Sequence, residues 1–145
     1  MQRFESSSAA GNLLRIGLGV MYVTHSVVLK VATYGFAGTA AYFESIGLPS
    51  ALAYLTIVAE AVGGVLLIAG YKARETALLL TPILVGALWA HAGNGWVFTA
   101  NGGGWEYPAF LSVAALVQAL VGEGAFALTR SRTRPMAVTR YADAH

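Results

Sequence analysis

"ALAYLTIVAEAVGGVLLIAGYKARETALLL", Ala51 to Leu80, is the stretch that decides how this chain folds. From Ala51 to Gly70 it carries a single charge, Glu60; the short polar connection "YKARE" follows, and a second apolar run starts at Thr76. At 1.5 Å per residue, about 20 apolar residues cross a hydrocarbon core. A connection as short as "YKARE" turns the chain straight back, so the stretch reads as an antiparallel pair of membrane-spanning helices.

The same reading extends outward. Further apolar runs lie at Leu13 to Ala32 and Ala109 to Leu128, and the run from Thr76 ends at Ala92. Of the 145 residues, 57% are hydrophobic and 11% charged, whereas soluble domains carry about 25% charged residues. The expected fold is all-α: an integral membrane four-helix bundle, antiparallel, forming one domain over residues 1–128. Its spans are expected at 13–32, 51–70, 76–92 and 109–128, with a basic cytoplasmic tail over 129–145. The first run is too long for the apolar core of a signal peptide and lacks a small-x-small cleavage site, so it is expected to remain in the protein. Between the first two spans, "TYGFAGTAAYFESIGLP" places Phe36, Ala40 and Phe43 at helical spacing before Gly47 and Pro49. That pattern predicts a short amphipathic helix lying at the membrane interface.

Eight of the nine basic residues (Arg3, Arg15, Lys72, Arg74, Arg130, Arg132, Arg134 and Arg140) fall on the side of the termini, and only Lys30 falls on the other. The positive-inside rule then puts both termini in the cytoplasm and "HAGNGWVFTANGGGWEYP", His91 to Pro108, on the outer face of a bacterial inner membrane. The basic tail is read as a topogenic element. Nothing in its pattern calls for nucleic acid, and the bilayer is the first partner. Cysteine is absent, which excludes disulfides, iron–sulfur clusters and thiolate chemistry; any redox step needs a bound cofactor or another chain.

Ionisable groups inside a span are costly and mark candidate sites. Glu60 lies about 14 Å into the second span and Gln118 at the same counted depth in the fourth, so the two are expected to meet. Ala59 and Gly63 form a small-xxx-small pair suited to close helix packing. His25 and His91 fall in the outer third of the first and third spans. They can be read as a shared site, or separately as packing residues. As a pair they suit the carbonyl oxygens of a quinone, with Trp89, Trp96, Trp105 and Tyr107 lining its ring; haem ligation is disfavoured because depth matching is all that supports it. Arg15 and Lys30 are expected to reach toward opposite surfaces, Lys30 pairing with Glu44 or Glu106. No spacing matches a metal signature, so no metal is expected. The glycines between Gly93 and Gly104 let the connection fold back as a lid over an outer pocket, with Pro108 in the first turn of the last helix.

These motifs together resemble the DoxX family of small bacterial membrane proteins. The resemblance is carried by "THSVVLK" (Thr24 to Lys30), "GFAGTAAYFESIGLP" (Gly35 to Pro49), "AEAVGG" (Ala59 to Gly64), "NGGGWEYP" (Asn101 to Pro108) and "GEGAF" (Gly122 to Phe126). Members carry a histidine–glycine pair on the first helix where this chain has His25-Ser26. The family's second-helix glutamate falls on Glu60 and its first-helix basic residue on Lys30. The resemblance implies a four-helix membrane protein linked to respiratory or sulfur-linked electron transfer, since the family includes the membrane subunit of a thiosulfate:quinone oxidoreductase.

Two functions follow as expectations. The first is a quinone-associated redox subunit or membrane anchor for another redox protein. In it His25, Lys30, Glu60, His91, Trp105, Glu106, Tyr107 and Gln118 form the ligand-binding set, and Glu60 is the candidate for proton handling. The second is a non-enzymatic scaffold or assembly subunit, open to forming an oligomer, whose polar interior specifies helix register. Transport is disfavoured, because four spans without inverted repeats leave little room for alternating access.

Overall fold

The computed structural model describes the backbone of residues 2–129 and the side chains of residues 9–129. Among them every regular element is helical: α1 (Gln2–Val23), a π-helical continuation (Thr24–Thr33), α2 (Gly35–Ser45), α3 (Ser50–Ala69), α4 (Ala73–His91), a short 3₁₀ turn (Ala92–Asn94) and α5 (Glu106–Val121). Three helical segments, Ala9–Thr33, Ser50–Ala69 and Ala73–Asn94, are long and apolar enough to cross a bilayer. The basic tail beyond Thr129 lies outside the described residues.

The α3–α4 hairpin forms where "YKARE" predicts it. Gly70 takes a left-handed conformation (φ 71°), and Tyr71 N–H reaches back to Leu66 O at 3.0 Å, the bonding by which such a glycine closes a helix end. At the other connection Gly47 (φ 83°) closes α2, with Leu48 N–H on Phe43 O at 2.9 Å. The short helix expected there thus exists, but the positions it buries are Thr39 and Ala40, while Phe36 is exposed and stacks on Tyr54.

α1 packs on α3 and α5, and α4 packs on α5 and α3. The buried core between them is built from Leu18, Tyr22, Leu67, Leu80, Leu84 and Leu111, and from the small residues Ala73, Ala77, Ala114, Ala115 and Ala119. Small residues let backbones approach closely where apolar surroundings offer no hydrophobic drive between helices. The backbones of α1 and α3 meet closely at Gly19 and Gly64: a Cβ on Gly64 would lie 2.8 Å from Gly19 O, and one on Gly19 would lie 2.7 Å from Gly64 O.

The last helix departs from expectation. The apolar run continues to Leu128, but α5 spans only Glu106–Val121, 16 residues. Gly122 (φ 87°) turns the chain back under the bundle, where Leu128 N–H meets Ala69 O at 3.2 Å and Thr129 N–H meets Gly70 O at 3.1 Å. Composition alone could not mark this stop, because "GEGAFAL" stays apolar while its glycines leave the helix. Arg15 also departs: it does not extend to a surface. Its buried guanidinium donates to Leu67 O at 2.7 Å and Ile68 O at 2.6 Å, closing the carbonyl end of α3 where a cation also complements the helix dipole.

Candidate functional site

Lys30 turns inward. Its Nζ donates to Glu60 Oε2 at 2.6 Å, with the two side chains 18% and 6% exposed. The expected pairing with Glu44 or Glu106 is therefore corrected. The backbone explains the direction. From Thr24 to Thr33 it is π-helical, and just past its end Tyr34 N–H bonds Leu29 O, five residues back, at 3.0 Å. Thr33 Oγ1 likewise donates to Val28 O at 2.8 Å. In an α-helix, a step of five residues overshoots a full turn by about 140°. The wider π turn reduces that overshoot, so His25 and Lys30 come round to the inner side together.

Around the ion pair the polar groups are accounted for one by one. Ser26, which stands where a glycine was expected from the resemblance, is fully buried, and its hydroxyl donates to Ile57 O of α3 at 2.7 Å. Thr39 of α2 donates to Lys30 O at 2.8 Å, tying the base of the lysine to the neighbouring helix. Tyr22 is buried and its hydroxyl donates to Leu80 O of α4 at 3.5 Å. His25 Nδ1 donates to Met21 O at 3.0 Å, since a carbonyl only accepts. The imidazole stacks on Tyr107 of α5, centroids 5.9 Å apart and planes 22° apart. An ammonium and a carboxylate in contact, with an imidazole one π turn before the ammonium and a tyrosine ring stacked on it, are groups able to hydrogen-bond a small polar headgroup and move a proton.

The other expected members lie elsewhere. His91 Nδ1 donates to Gly102 O at 2.9 Å and Gly103 O at 3.1 Å, and Asn94 Nδ2 reaches both carbonyls at 3.0 Å. His91 therefore fastens the connection to the end of α4, and each histidine has its own partners. The connection is closed on itself: Trp105 N–H bonds Gly95 O at 3.1 Å, Glu106 N–H bonds Trp96 O at 3.0 Å, and the Trp96 and Trp105 rings meet edge to face at 4.3 Å. Glu106 accepts Phe98 N–H at 2.8 Å in place of meeting Lys30. Trp89 is exposed on α4.

Gln118 belongs to the opposite end of the bundle. It is fully buried, and its Nε2 donates to Gly122 O at 2.6 Å, where α5 stops. The expected meeting with Glu60 rested on equal depth counted inward from Ala51 and Ala109; the partner the structure gives Gln118 is Gly122 O at the end of its own helix, and the partner it gives Glu60 is Lys30. The structure adds Tyr22, Ser26 and Thr39 to the cluster and Asn94 to the loop. Tyr22 and Ser26 share a helix face with His25 in the sequence, whereas Thr39 has no such signal, because its role is to meet a backbone carbonyl. Among the described residues no three His, Asp or Glu side chains gather as a metal site.

Comparison with known proteins places these residues in context. The DoxX family model matches residues 11–93, which include His25, Lys30, Glu60 and His91; "NGGGWEYP" and "GEGAF" fall outside that match. "Putative oxidoreductase CatD" of Bacillus subtilis (strain 168) is 37% identical over 76 residues, 52% of this chain and 54% of that protein. The chain thus spans about half the length of that relative. "Inner membrane protein YqjF" of Escherichia coli (strain K12) is 32% identical over 102 residues, 66% of this chain and 73% of that protein. No solved structure matches the chain.

Proposed function

The chain belongs to the DoxX family of membrane proteins, and we propose that it binds a quinone-like headgroup at the Lys30–Glu60 cluster as a subunit of a membrane redox system. The observation that carries this reading is the 2.6 Å ion pair itself. Two charges buried against apolar helices cost several kcal/mol in desolvation, and ionisable groups at such depth mark ligand or proton pathways. Lys30 supplies a donor for a quinone carbonyl, Glu60 a carboxylate to handle its proton, and the Tyr107 ring stacked on His25 a flat face. With no cysteine in the chain, the electrons come from a bound cofactor or a partner protein, and the redox role is in line with the oxidoreductase in one relative's name. In this arrangement α5 is the fourth and shortest span, α2 lies along the outer interface, and the basic side with both termini faces the cytoplasm of a bacterial inner membrane.

The scaffold reading has one observation in its favour: each member of the ion pair satisfies the other, so the cluster could serve only to lock α1 to α3. Glu60→Gln separates the two. For a quinone site, the purified variant, itself less stable because Lys30 is left unpaired, loses the ligand-dependent rise in melting temperature that the native protein shows over its own ligand-free value; for a scaffold, neither protein shows a rise. A native protein that carries no quinone above the detergent blank and shows no such rise would sink the quinone reading.

A further inference from the structure

The connection between α4 and α5 holds a second polar cluster, apart from Lys30 and Glu60. Four atoms converge there. His91 Nδ1 lies 2.9 Å from Gly102 O and 3.1 Å from Gly103 O, and Asn94 Nδ2 lies 3.0 Å from each of the same two oxygens. The two nitrogens are 3.5 Å apart. Two N–H donors thus stand side by side with their positive hydrogens aimed at one pair of carbonyl oxygens, the charge pattern that a single cation would supply in their place. The backbone is shaped for this approach. Gly102 and Gly103 take φ of 80° and 79°, the left-handed region that favours glycine, and a Cβ on Gly102 would lie 3.0 Å from the Asn94 amide, one on Gly103 3.4 Å from the His91 ring.

The spacing points to a metal ion. Six metal–ligand bonds of about 2.1 Å place neighbouring ligand atoms about 3.0 Å apart, whereas four tetrahedral bonds of that length place them about 3.4 Å apart. Four of the five separations, at 2.9 to 3.1 Å, match the first value. A half-turn of the Asn94 amide presents oxygen where nitrogen now stands, and the His91 ring frees its Nδ1 lone pair by carrying the proton on Nε2. Both changes are confined to side chains. Imidazole suits first-row transition ions, while alkaline-earth ions take oxygen ligands. We infer that His91 Nδ1, Asn94 Oδ1 and the carbonyl oxygens of Gly102 and Gly103 form a site for a six-coordinate divalent transition ion, completed by water. Gly102 is exposed, so water and ion reach the site from solvent. Two of the four ligands are backbone atoms and a third is an amide, which is why the sequence shows no metal signature there. In the hydrogen-bonded form the protons keep the ligands in position; the ion takes their place and fixes the connection to α4. The inference is independent of the quinone reading.

The test uses the full chain in detergent, free of any purification tag and carrying His145→Ala, so that the last histidine of the sequence does not compete. Ni²⁺ and Co²⁺ are the probes, with affinity read by calorimetry and coordination by the visible spectrum of the Co²⁺ form. One ion is expected per chain, with the weak absorption of six-coordinate cobalt and slower amide exchange at Gly102 and Gly103. His91→Ala is expected to weaken Ni²⁺ binding about ten-fold or more. Asn94→Asp is expected to strengthen it about ten-fold, because a carboxylate adds charge to a neutral ligand set. With hydrogen bonds alone the same change only loosens the connection, since a carboxylate cannot donate to either carbonyl. The two variants move affinity in opposite directions, which a damaged fold cannot imitate. Each of four results overturns the site: no binding by the parent chain, Ni²⁺ affinity unchanged by His91→Ala, an Asn94→Asp protein that binds no tighter, or the intense blue of four-coordinate cobalt.

Discussion

At the residue scale the Lys30–Glu60 pair is the most exposed to test. Removing one partner strands the other charge in a buried position, a loss of about 3 kcal/mol or more. Lys30→Met should therefore lower unfolding stability in detergent substantially, and the double change Lys30→Met with Glu60→Leu should recover most of that loss while still lacking ligand response. A double variant no more stable than the single one would show that the charges are not coupled as the 2.6 Å contact implies. His91 makes a different forecast. Its two carbonyl contacts hold the 95–105 connection to α4, so His91→Ala should speed proteolytic nicking and amide exchange there, with helix stability changed by only about 1 kcal/mol. An unaltered exchange rate at Gly102 and Gly103 would remove that role.

At the element scale the π segment governs what the first helix can do. Deleting Val28, an exposed residue inside it, shortens the step from His25 to Lys30 to four residues, which α-helical bonding brings to within about 40° of a full turn, so Lys30 should still face Glu60 without the π geometry. A double-mutant cycle on Lys30 and Glu60 then gives a coupling in the deletion background close to the native one; a coupling near zero there would discount the extra residue of the π turn as what brings Lys30 round. This also explains which parts were legible beforehand. The helices of residues 51–91 follow from apolar length, a strong signal, and Glu60 stands out as the lone charge in its run. The direction of Lys30 was not legible, because counting gives depth while azimuth around the axis depends on a local choice between two helical bondings. The same limit separates His25 from His91, which match in counted depth yet have different partners. The early stop of α5 was hidden because Gly122 and Gly124 sit in an apolar run with no polar residue but Glu123 to punctuate it.

At the scale of the whole molecule, the contact of α1 with α3 sets the spacing on which the cluster depends. A methyl group at Gly64 would meet Gly19 O and Val23 Cγ2, each at 2.8 Å, so Gly64→Ala should cost about 1–3 kcal/mol. Gly86, with open space around its Cβ position, provides the control: Gly86→Ala should be neutral or slightly stabilising, and equal losses in both would argue against close packing as the cause. The polar groups of the first helix have a consequence in time. Arg15 finds the carbonyls of Leu67 and Ile68, Ser26 that of Ile57, and Lys30 the carboxylate of Glu60; all four acceptors belong to α3. While the ribosome has made only the first helix, none of these acceptors exists, and a guanidinium, a hydroxyl and an ammonium must be kept wet by water or lipid headgroups. The first helix therefore cannot take its final depth alone. It waits at the insertion machinery, shallow or tilted, until the third arrives, so nascent chains halted before residue 50 should place Arg15 within reach of an aqueous label that the finished protein excludes.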